Sequence, residues 1–185
     1  MGQAKRNLEE VRARMISVAE RWMFEPSEWE ARAVAEIKGL PRVEVSRYPA
    51  PVLEMMRMKI GECHANAYFM EREDPEKLCK RVVGWALIEG QLVLHSVVRR
   101  SAEMFCVTPA PQGAPDVFTF IPDSDIVAEE IEGRFVHSRD GQRVDVGLRP
   151  DPEVTIEFSK KLLERLRSGM NPYKAMELLP PQSDF

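Results

Sequence analysis

Two residues of this chain, Cys63 and His95, have the type and the surroundings that nucleophilic chemistry requires. Cys63 lies at the start of Glu62–Arg72, a stretch without Gly or Pro that is typical of a helix. A thiol becomes a nucleophile when it loses its proton, and the N–H groups and dipole at a helix start stabilise the resulting thiolate. An imidazole on a neighbouring strand can accept that proton. His95 lies within the predicted strand Gln91–Val98 and is therefore the candidate base.

The predicted strand pairing brings a second thiol close to the His95 imidazole. We interpret Arg99–Ala102 as a four-residue loop that leads into a strand over Glu103–Thr108. Counting back from this loop pairs His95 with Cys106. The two side chains would then share one face of the sheet, with Cβ atoms roughly 4.5–5.5 Å apart.

The same geometry suggests a metal site as an alternative. Cys63, His95 and Cys106 would supply two sulfurs and one imidazole, which are ligands that zinc prefers. The chain has no Cys-x-x-Cys pair, and the adjacent Cys63 and His64 point in different directions from a helix, so at most one of them would bind. The main expectation is therefore a site without a cofactor, with zinc as the less favoured alternative.

Four short motifs follow one another in this part of the chain. They read Gly61-Glu-Cys-His-Ala-Asn-Ala67, Val83-Gly-Trp-Ala86, His95-Ser-Val-Val98 and Cys106-Val-Thr-Pro109. Their order resembles the landmarks of a papain-like cysteine family of bacterial and phage proteins, and the resemblance covers roughly a quarter of the chain. It implies a papain-like core with Cys63 as the nucleophile and His95 as the base. The supporting positions that it implies are Asn66, Gly84, Trp85, Cys106 and Thr108.

One position departs from the family pattern. Where the family's strand carries Asp two residues before Thr, this chain has Cys106, and a neutral thiol cannot act as a buried anionic partner. The role of orienting the imidazole is then vacant, or it is taken by Thr108, Asp123, Asp125 or a backbone carbonyl. Such a chain is a slow cysteine hydrolase, an inactive descendant used for binding, or a converted metal site. Cys79 is interpreted as a small core residue, and Cys106 has the same structural alternative.

The elements that must position these residues form an α+β domain over 41–179. In it the helix bearing Cys63 packs on an antiparallel sheet formed by roughly Arg81–Ile121. Apolar spacings of three and four predict two N-terminal helices, Asn7–Met23 and one from Pro26 to Gly39, as a helical hairpin appendage over 1–40. The same pattern predicts a last helix over Val154–Ser168, followed by a mobile tail over 180–185.

The segment before the last helix carries two further signals. Asp123–Glu132 contains five acids with interleaved apolar residues and predicts a short acidic helix. Asp140-Gly141, between two alternating runs, predicts a tight hairpin turn, with His137 on its surface. Met55, Met56 and Met58 predict adaptable packing before the Cys63 helix, or a groove for an apolar partner.

Composition excludes several classes of function. Lys and Arg number 26 and Asp and Glu 30, a net charge of −4, so a general nucleic-acid binder is disfavoured. The apolar fraction of 44% supplies a core and argues against disorder. No apolar run is long enough to span a membrane, which predicts a cytoplasmic protein. Three cysteines cannot all pair within one chain, so a secreted disulfide scaffold is also disfavoured.

These observations together predict a cysteine hydrolase or an acyl or amide transferase that acts through Cys63 and His95 on a peptide or amide substrate. The alternatives are a non-catalytic module of papain-like fold that binds a protein partner, and the Cys/His zinc site.

Overall fold

The computed structural model describes residues 3–110 and 114–177, and their side chains from residue 6 onward. Helices make up 39% and strands 31%, so the chain belongs to the α+β class. The helices are α1 (Gln3–Arg21), α2 (Glu28–Lys38), α3 (Ala50–Met55), α4 (Cys63–Glu73), α5 (Pro152–Arg167) and α6 (Pro172–Glu177). The strands are β1 (Val43–Arg47), β2 (Cys79–Ile88), β3 (Gln91–Arg100), β4 (Glu103–Cys106), β5 (Val117–Pro122), β6 (Ile126–Ile131), β7 (Arg134–Arg139), β8 (Gln142–Val144) and β9 (Gly147–Leu148).

Five strands close into a barrel. β2 pairs antiparallel with β3 and β3 with β4, β4 runs parallel to β1, and β5 pairs antiparallel with both β1 and β2. Each of these strands therefore has two neighbours, which removes most of the open edge of a flat sheet. β9 lies alongside β3 at Leu92 and Val93, beyond the end of β4. The sequence predicts an antiparallel sheet over Arg81–Ile121. In the structure β1 lies between β4 and β5 in this sheet, and its pairing with β4 is parallel.

The barrel interior is a small apolar core to which all five strands contribute. Its buried members are Val45, Ala86, Val97, Cys106, Phe118 and Phe120. They alternate with outward-facing residues along each strand, as the period of two requires. Gly84 lets β2 approach β5 closely, because a Cβ there would meet the Ile121 carbonyl oxygen and lie 2.8 Å from Phe120 Cζ.

Two helices cover the outer face of the barrel. α2 buries Ala33, Val34 and Ile37 against Trp85 and Leu94. α4 packs on β2 and β3, where Ala67, Cys79 and Val98 form a second buried cluster. A Cys-bearing helix on a sheet is thus observed, in agreement with the predicted arrangement of these elements.

The N-terminal helices have different partners. α1 packs on α5 and α6, where Ala19 joins Leu162, Leu163 and Leu166 in one buried cluster. α2 lies on the barrel instead. Both helices form where the apolar spacing predicts them, but each is held by other parts of the chain rather than in a separate hairpin. None of the helices in the described ranges combines the length and apolarity that crossing a bilayer requires.

A second, three-stranded sheet has the order β6-β7-β8. The prediction of a helix over Asp123–Glu132 is wrong, because Glu132 and Gly133 adopt φ of 51° and 74° and turn β6 back into β7. The predicted turn at Asp140-Gly141 is confirmed, with φ of 51° and 72° at its two residues.

A buried ion pair joins this second sheet to the barrel. Arg139 and Asp123 are 2% and 1% exposed at their side chains, with Nε and Oδ2 3.0 Å apart. Trp85 Nε1 donates to the same Oδ2 at 2.8 Å. Asp123 is therefore already engaged by two donors and does not serve as the orienting acid that the sequence leaves open.

Candidate functional site

Cys63 is the first residue of α4 and is half-buried against β3. Burial raises the pKa of its thiol to about 11. Backbone hydrogen bonds from Ser96 and from the first turn of α4 act in the opposite direction but do not outweigh burial. At neutral pH the helix start therefore holds a neutral thiol, and the thiolate that the sequence predicts forms only when a base removes the proton.

His95 lies on β3 and its ring reaches a sulfur, as the sequence predicts, but through a different strand register. The observed pairs are Val98 with Phe105 and Arg100 with Glu103, so the predicted direct pairing of His95 with Cys106 is wrong. The strands extend further than expected, and the turn contains only Ser101 and Ala102. A register displaced by two residues keeps every side chain on its face, so His95 Nε2 still lies 3.3 Å from Cys106 Sγ.

The Cys106 sulfur is surrounded by nitrogen donors. Arg47 Nη1 donates to it at 3.2 Å and the Thr108 amide at 3.5 Å, in addition to its contact with His95. Burial raises the pKa of Cys106, while the Thr108 amide and the Arg47 charge partly oppose this rise. Since Cys106 is fully buried in the barrel core, it is a hydrogen-bonding partner of His95 and not a nucleophile open to substrate.

The two ring nitrogens of His95 have different surroundings. Nε2 is engaged with Cys106, whereas Nδ1 forms no hydrogen bond with any residue in the described ranges. Burial, assisted by the positive charge of Arg47, lowers the pKa of His95 to about 4. The imidazole is thus neutral at pH 7. No direct hydrogen bond joins it to Cys63 within the described part of the chain, and the link between them is Ser96, the residue after His95.

The other supporting positions divide into two groups. Asn66 is buried and donates through Nδ2 to Thr108 Oγ1 at 3.1 Å and to the Lys59 carbonyl at 2.8 Å. The first bond fixes the start of α4 to the chain that follows β4, and the second fixes it to the loop before α4. Trp85 is fully buried under α2, on the opposite side of β2 from the barrel interior, and has a structural role.

His64 follows Cys63 in the chain and packs against His137, a neighbour that the sequence does not reveal. His64 Nδ1 lies 2.7 Å from Ser96 Oγ, and the ring centroids of His64 and His137 are 4.0 Å apart. His137 is 3% exposed, so its prediction as a hairpin surface residue is wrong. Its strand, β7, folds back over α4 through contacts such as Tyr68 with Phe135. Only this long-range packing brings all three histidines of the chain to one region.

The alternative of a zinc site at Cys63, His95 and Cys106 finds no geometric support. Among the described residues, which include every Cys and His of the chain, no group of three or more Cys, His, Asp or Glu is arranged to hold a metal ion. Cys106 instead uses its sulfur as a hydrogen-bonding partner of His95, Arg47 and Thr108.

A cavity of about 470 Å³ lies along α4. Met56, Met58, Phe69 and Phe135 give it apolar walls, and Asn66 also reaches it. It therefore adjoins the helix turn that carries Cys63, and its volume lies within the usual range of small-ligand sites.

Comparisons of this chain with protein-family models, with curated proteins and with solved structures gave no significant match.

Proposed function

We propose that this chain is a cysteine-dependent hydrolase or acyl transferase in which Cys63 is the nucleophile and His95 the base. One observation carries the proposal: His95 presents Nε2 to Cys106 and leaves Nδ1 without a partner among the described residues. A histidine held at one nitrogen by a fixed partner uses the other for proton transfer. The Cys63 sulfur accepts a hydrogen bond from the Ser96 amide, one residue along β3 from His95, and this proximity supports the pairing of the two residues.

The proposed reaction begins with transfer of the Cys63 thiol proton to His95 Nδ1. The sulfur attacks the substrate carbonyl carbon, and an S–C bond forms. The bond from this carbon to the leaving nitrogen or oxygen then breaks, and the leaving group takes the proton from Nδ1. The resulting thioester is cleaved by water or by a second amine, which regenerates the thiol.

Backbone donors at the start of α4 would stabilise the oxygen anion formed during attack. α4 has no side-chain cap on its first N–H groups, since Glu62 makes no capping hydrogen bond. Free N–H groups at a helix start are suited to a developing negative charge. The Glu62 amide already donates to the Lys59 carbonyl at 3.4 Å, so the donors proposed for this role are the amides of Gly61 and Cys63.

The pKa values define how this site would work. A thiol pKa of about 11 and an imidazole pKa of about 4 correspond to a neutral pair at pH 7, not to a preformed thiolate and imidazolium. Proton transfer must therefore accompany attack, which is general-base catalysis. Such a site reacts more slowly with simple alkylating agents than a site that holds a resting thiolate.

The same pKa values favour a second candidate function, a non-catalytic binding module. A neutral thiol beside neutral imidazoles, next to the cavity of about 470 Å³, is also a surface for an apolar segment of a partner protein. In this case Cys63 contributes a contact and no covalent intermediate forms.

The two functions differ in whether an acyl group becomes attached to Cys63. We expect incubation with p-nitrophenyl acetate at pH 7.5, followed by acid quench and intact-mass measurement, to show one added acetyl group that peptide mapping places on Cys63. Cys63→Ala abolishes this adduct, and the matched control Cys79→Ala retains it. His95→Gln slows its formation by roughly 100-fold or more, as loss of a general base does.

Two results would overturn the enzymatic proposal. One is an adduct that forms at Cys79 as fast as at Cys63. The other is an adduct rate on Cys63 that is unchanged in folded His95→Gln. Either result leaves the binding module as the better function for this site.

A further inference from the structure

Arg81 is a cation that has no anionic partner among the described residues. Its guanidinium lies between two aromatic rings, 4.7 Å from the Phe135 centroid and 5.5 Å from that of Tyr68. It forms no salt bridge with any described residue, and its Nη1 is buried without a hydrogen-bond partner. Buried arginine nitrogens in proteins are normally paired, so this donor lacks the acceptor that its position requires.

His137, on the facing strand β7, shows the same deficiency. The residue is 3% exposed, and its buried Nε2 has no hydrogen-bond partner in the described part of the chain. The His137 ring packs on that of His64, with centroids 4.0 Å apart. A hydrogen bond between His64 Nδ1 and Ser96 Oγ holds the His64 ring in place. Two buried nitrogens, one on Arg81 and one on His137, are thus unpaired in the same region.

The groups that act electrostatically on these two histidines are all basic. His64 is influenced by His137, His95 and Arg81, and His137 by Arg81, and each of these interactions lowers the pKa of the histidine in addition to the larger effect of burial. No carboxylate contributes to the pKa of either histidine. An uncompensated guanidinium that acts on both imidazoles attracts a negative group.

We propose that Arg81, His137 and His64 form a binding site for one oxyanion, a carboxylate or a phosphate. The anion accepts hydrogen bonds from Arg81 Nη1 and from Nε2 of His137, and it supplies the missing negative charge. The walls formed by Phe135 and Tyr68 exclude water and strengthen these bonds.

The position of this site suggests what the anion belongs to. His64 follows Cys63 directly and shares Ser96 with it, so an anion held here lies beside the candidate nucleophile. The anion is then a substituent of the acyl substrate, which makes that substrate a negatively charged one. This last step rests on the proposed function, whereas the anion site itself does not.

The test uses the imidazole resonances of the three histidines, which long-range ¹H–¹⁵N correlation spectra resolve. The full chain is titrated with sodium phosphate and, separately, with sodium acetate, at a constant ionic strength maintained with NaCl. We expect saturable shifts of His64 and His137 toward the protonated state, because a bound anion stabilises the imidazolium, and a smaller shift of His95. The tighter of the two anions identifies the source as phosphate or carboxylate.

Arg81→Gln is expected to weaken this binding by roughly tenfold or more, the usual loss for a charged hydrogen bond. Arg99→Gln, on the neighbouring strand and exposed, is the matched control and leaves the affinity unchanged. Should Arg81→Gln fold poorly, as judged by its thermal melt, His137→Gln provides the same test.

Shifts that grow linearly without saturation in both titrations, or equal affinity in Arg81→Gln and the parent, would overturn the anion site. The titration does not depend on the reactivity of Cys63, so the two proposals are tested separately. Saturable anion binding without acetylation of Cys63 would contradict only the proposed function. Acetylation of Cys63 without saturable anion binding would contradict only the anion site.

Discussion

His95 Nε2 and Cys106 Sγ lie 3.3 Å apart at the end of the barrel core, and Arg47 Nη1 reaches the same sulfur at 3.2 Å. A thiol here lies between an imidazole and a guanidinium. Because the thiol is neutral, it orients the ring without making it more basic.

Cys106→Asp is therefore expected to raise the pKa of His95 from about 4 by roughly 1–3, because a carboxylate beside the imidazole favours its protonated form. The pKa is measured from the His95 resonances as a function of pH. Cys106→Ser is the neutral control, with a His95 pKa close to that of the parent. An unchanged pKa in a folded Cys106→Asp protein would show that position 106 does not act on the imidazole.

The three histidines make the protein less stable in mild acid. Their pKa values fall from the ordinary 6.5 to about 3 for His64 and about 4 for His95 and His137, chiefly through burial. Below pH 6.5 the histidines bind protons in the unfolded chain but not in the folded chain. The free energy of unfolding therefore falls as pH falls from 6.5 toward 4. The expected slope approaches about 1.4 kcal/mol per pH unit for each histidine.

Urea denaturation at pH 7.0, 6.0 and 5.0 measures this slope, above the range in which most carboxylates titrate. His137→Gln removes one titrating group and reduces the slope by about one third. A stability that is flat between pH 7.0 and 5.0 would contradict the burial of the histidines as neutral groups.

Arg139→Gln is expected to destabilise the protein by about 3–5 kcal/mol, because it leaves the buried Asp123 carboxylate without its charge partner. The loss is measured by chemical denaturation. Arg143→Gln, which breaks the exposed ion pair with Asp145, is the control and costs less than about 1 kcal/mol. Equal effects of the two variants would show that the Arg139 network does not join the second sheet to the barrel.

Gly84→Ala tests the close approach of β2 to β5. Its Cβ would lie 2.8 Å from Phe120 Cζ and against the Ile121 carbonyl, and we expect a loss of about 1–3 kcal/mol or more. Gly39→Ala places a Cβ 3.3 Å from the Glu36 carbonyl at a helical φ and changes stability by less than about 1 kcal/mol. Thermal melts compare the two, and a Tm of Gly84→Ala equal to that of the parent would argue against the tight crossing.

The local elements of this fold follow from the sequence because their signals are local. α4 begins at Cys63, in the stretch without Gly or Pro that predicts a helix. Asp140-Gly141 forms a turn because both residues tolerate positive φ. The segment after Asp123 misled the prediction, since Ile126, Val127 and Ile131 fit either a helix or a strand. The pairing of β6 with β7 decided the outcome.

The candidate site was predictable only in part, for the same physical reason. Cys63 is marked by its helix start and His95 by its strand, but the contact of Ser96 with Cys63 depends on the packing of α4 on β3. The position of His137 depends on β7 folding over α4, and the contact of Arg47 with Cys106 depends on the parallel pairing of β1 with β4. No pattern within a short window contains either of these contacts.

Closure of the barrel also determines how the chain must fold. β1 pairs with β4 at Ser46 and Phe105 and with β5 at Val43 and Phe120, segments that are about sixty to eighty residues apart in sequence. β1 therefore leaves the ribosome well before its partners and exposes both edges until β4 and β5 have been synthesised. Arg47, the residue that reaches Cys106, is carried on this strand. The contact of Arg47 with the sulfur beside His95 therefore forms only after β4 has been synthesised.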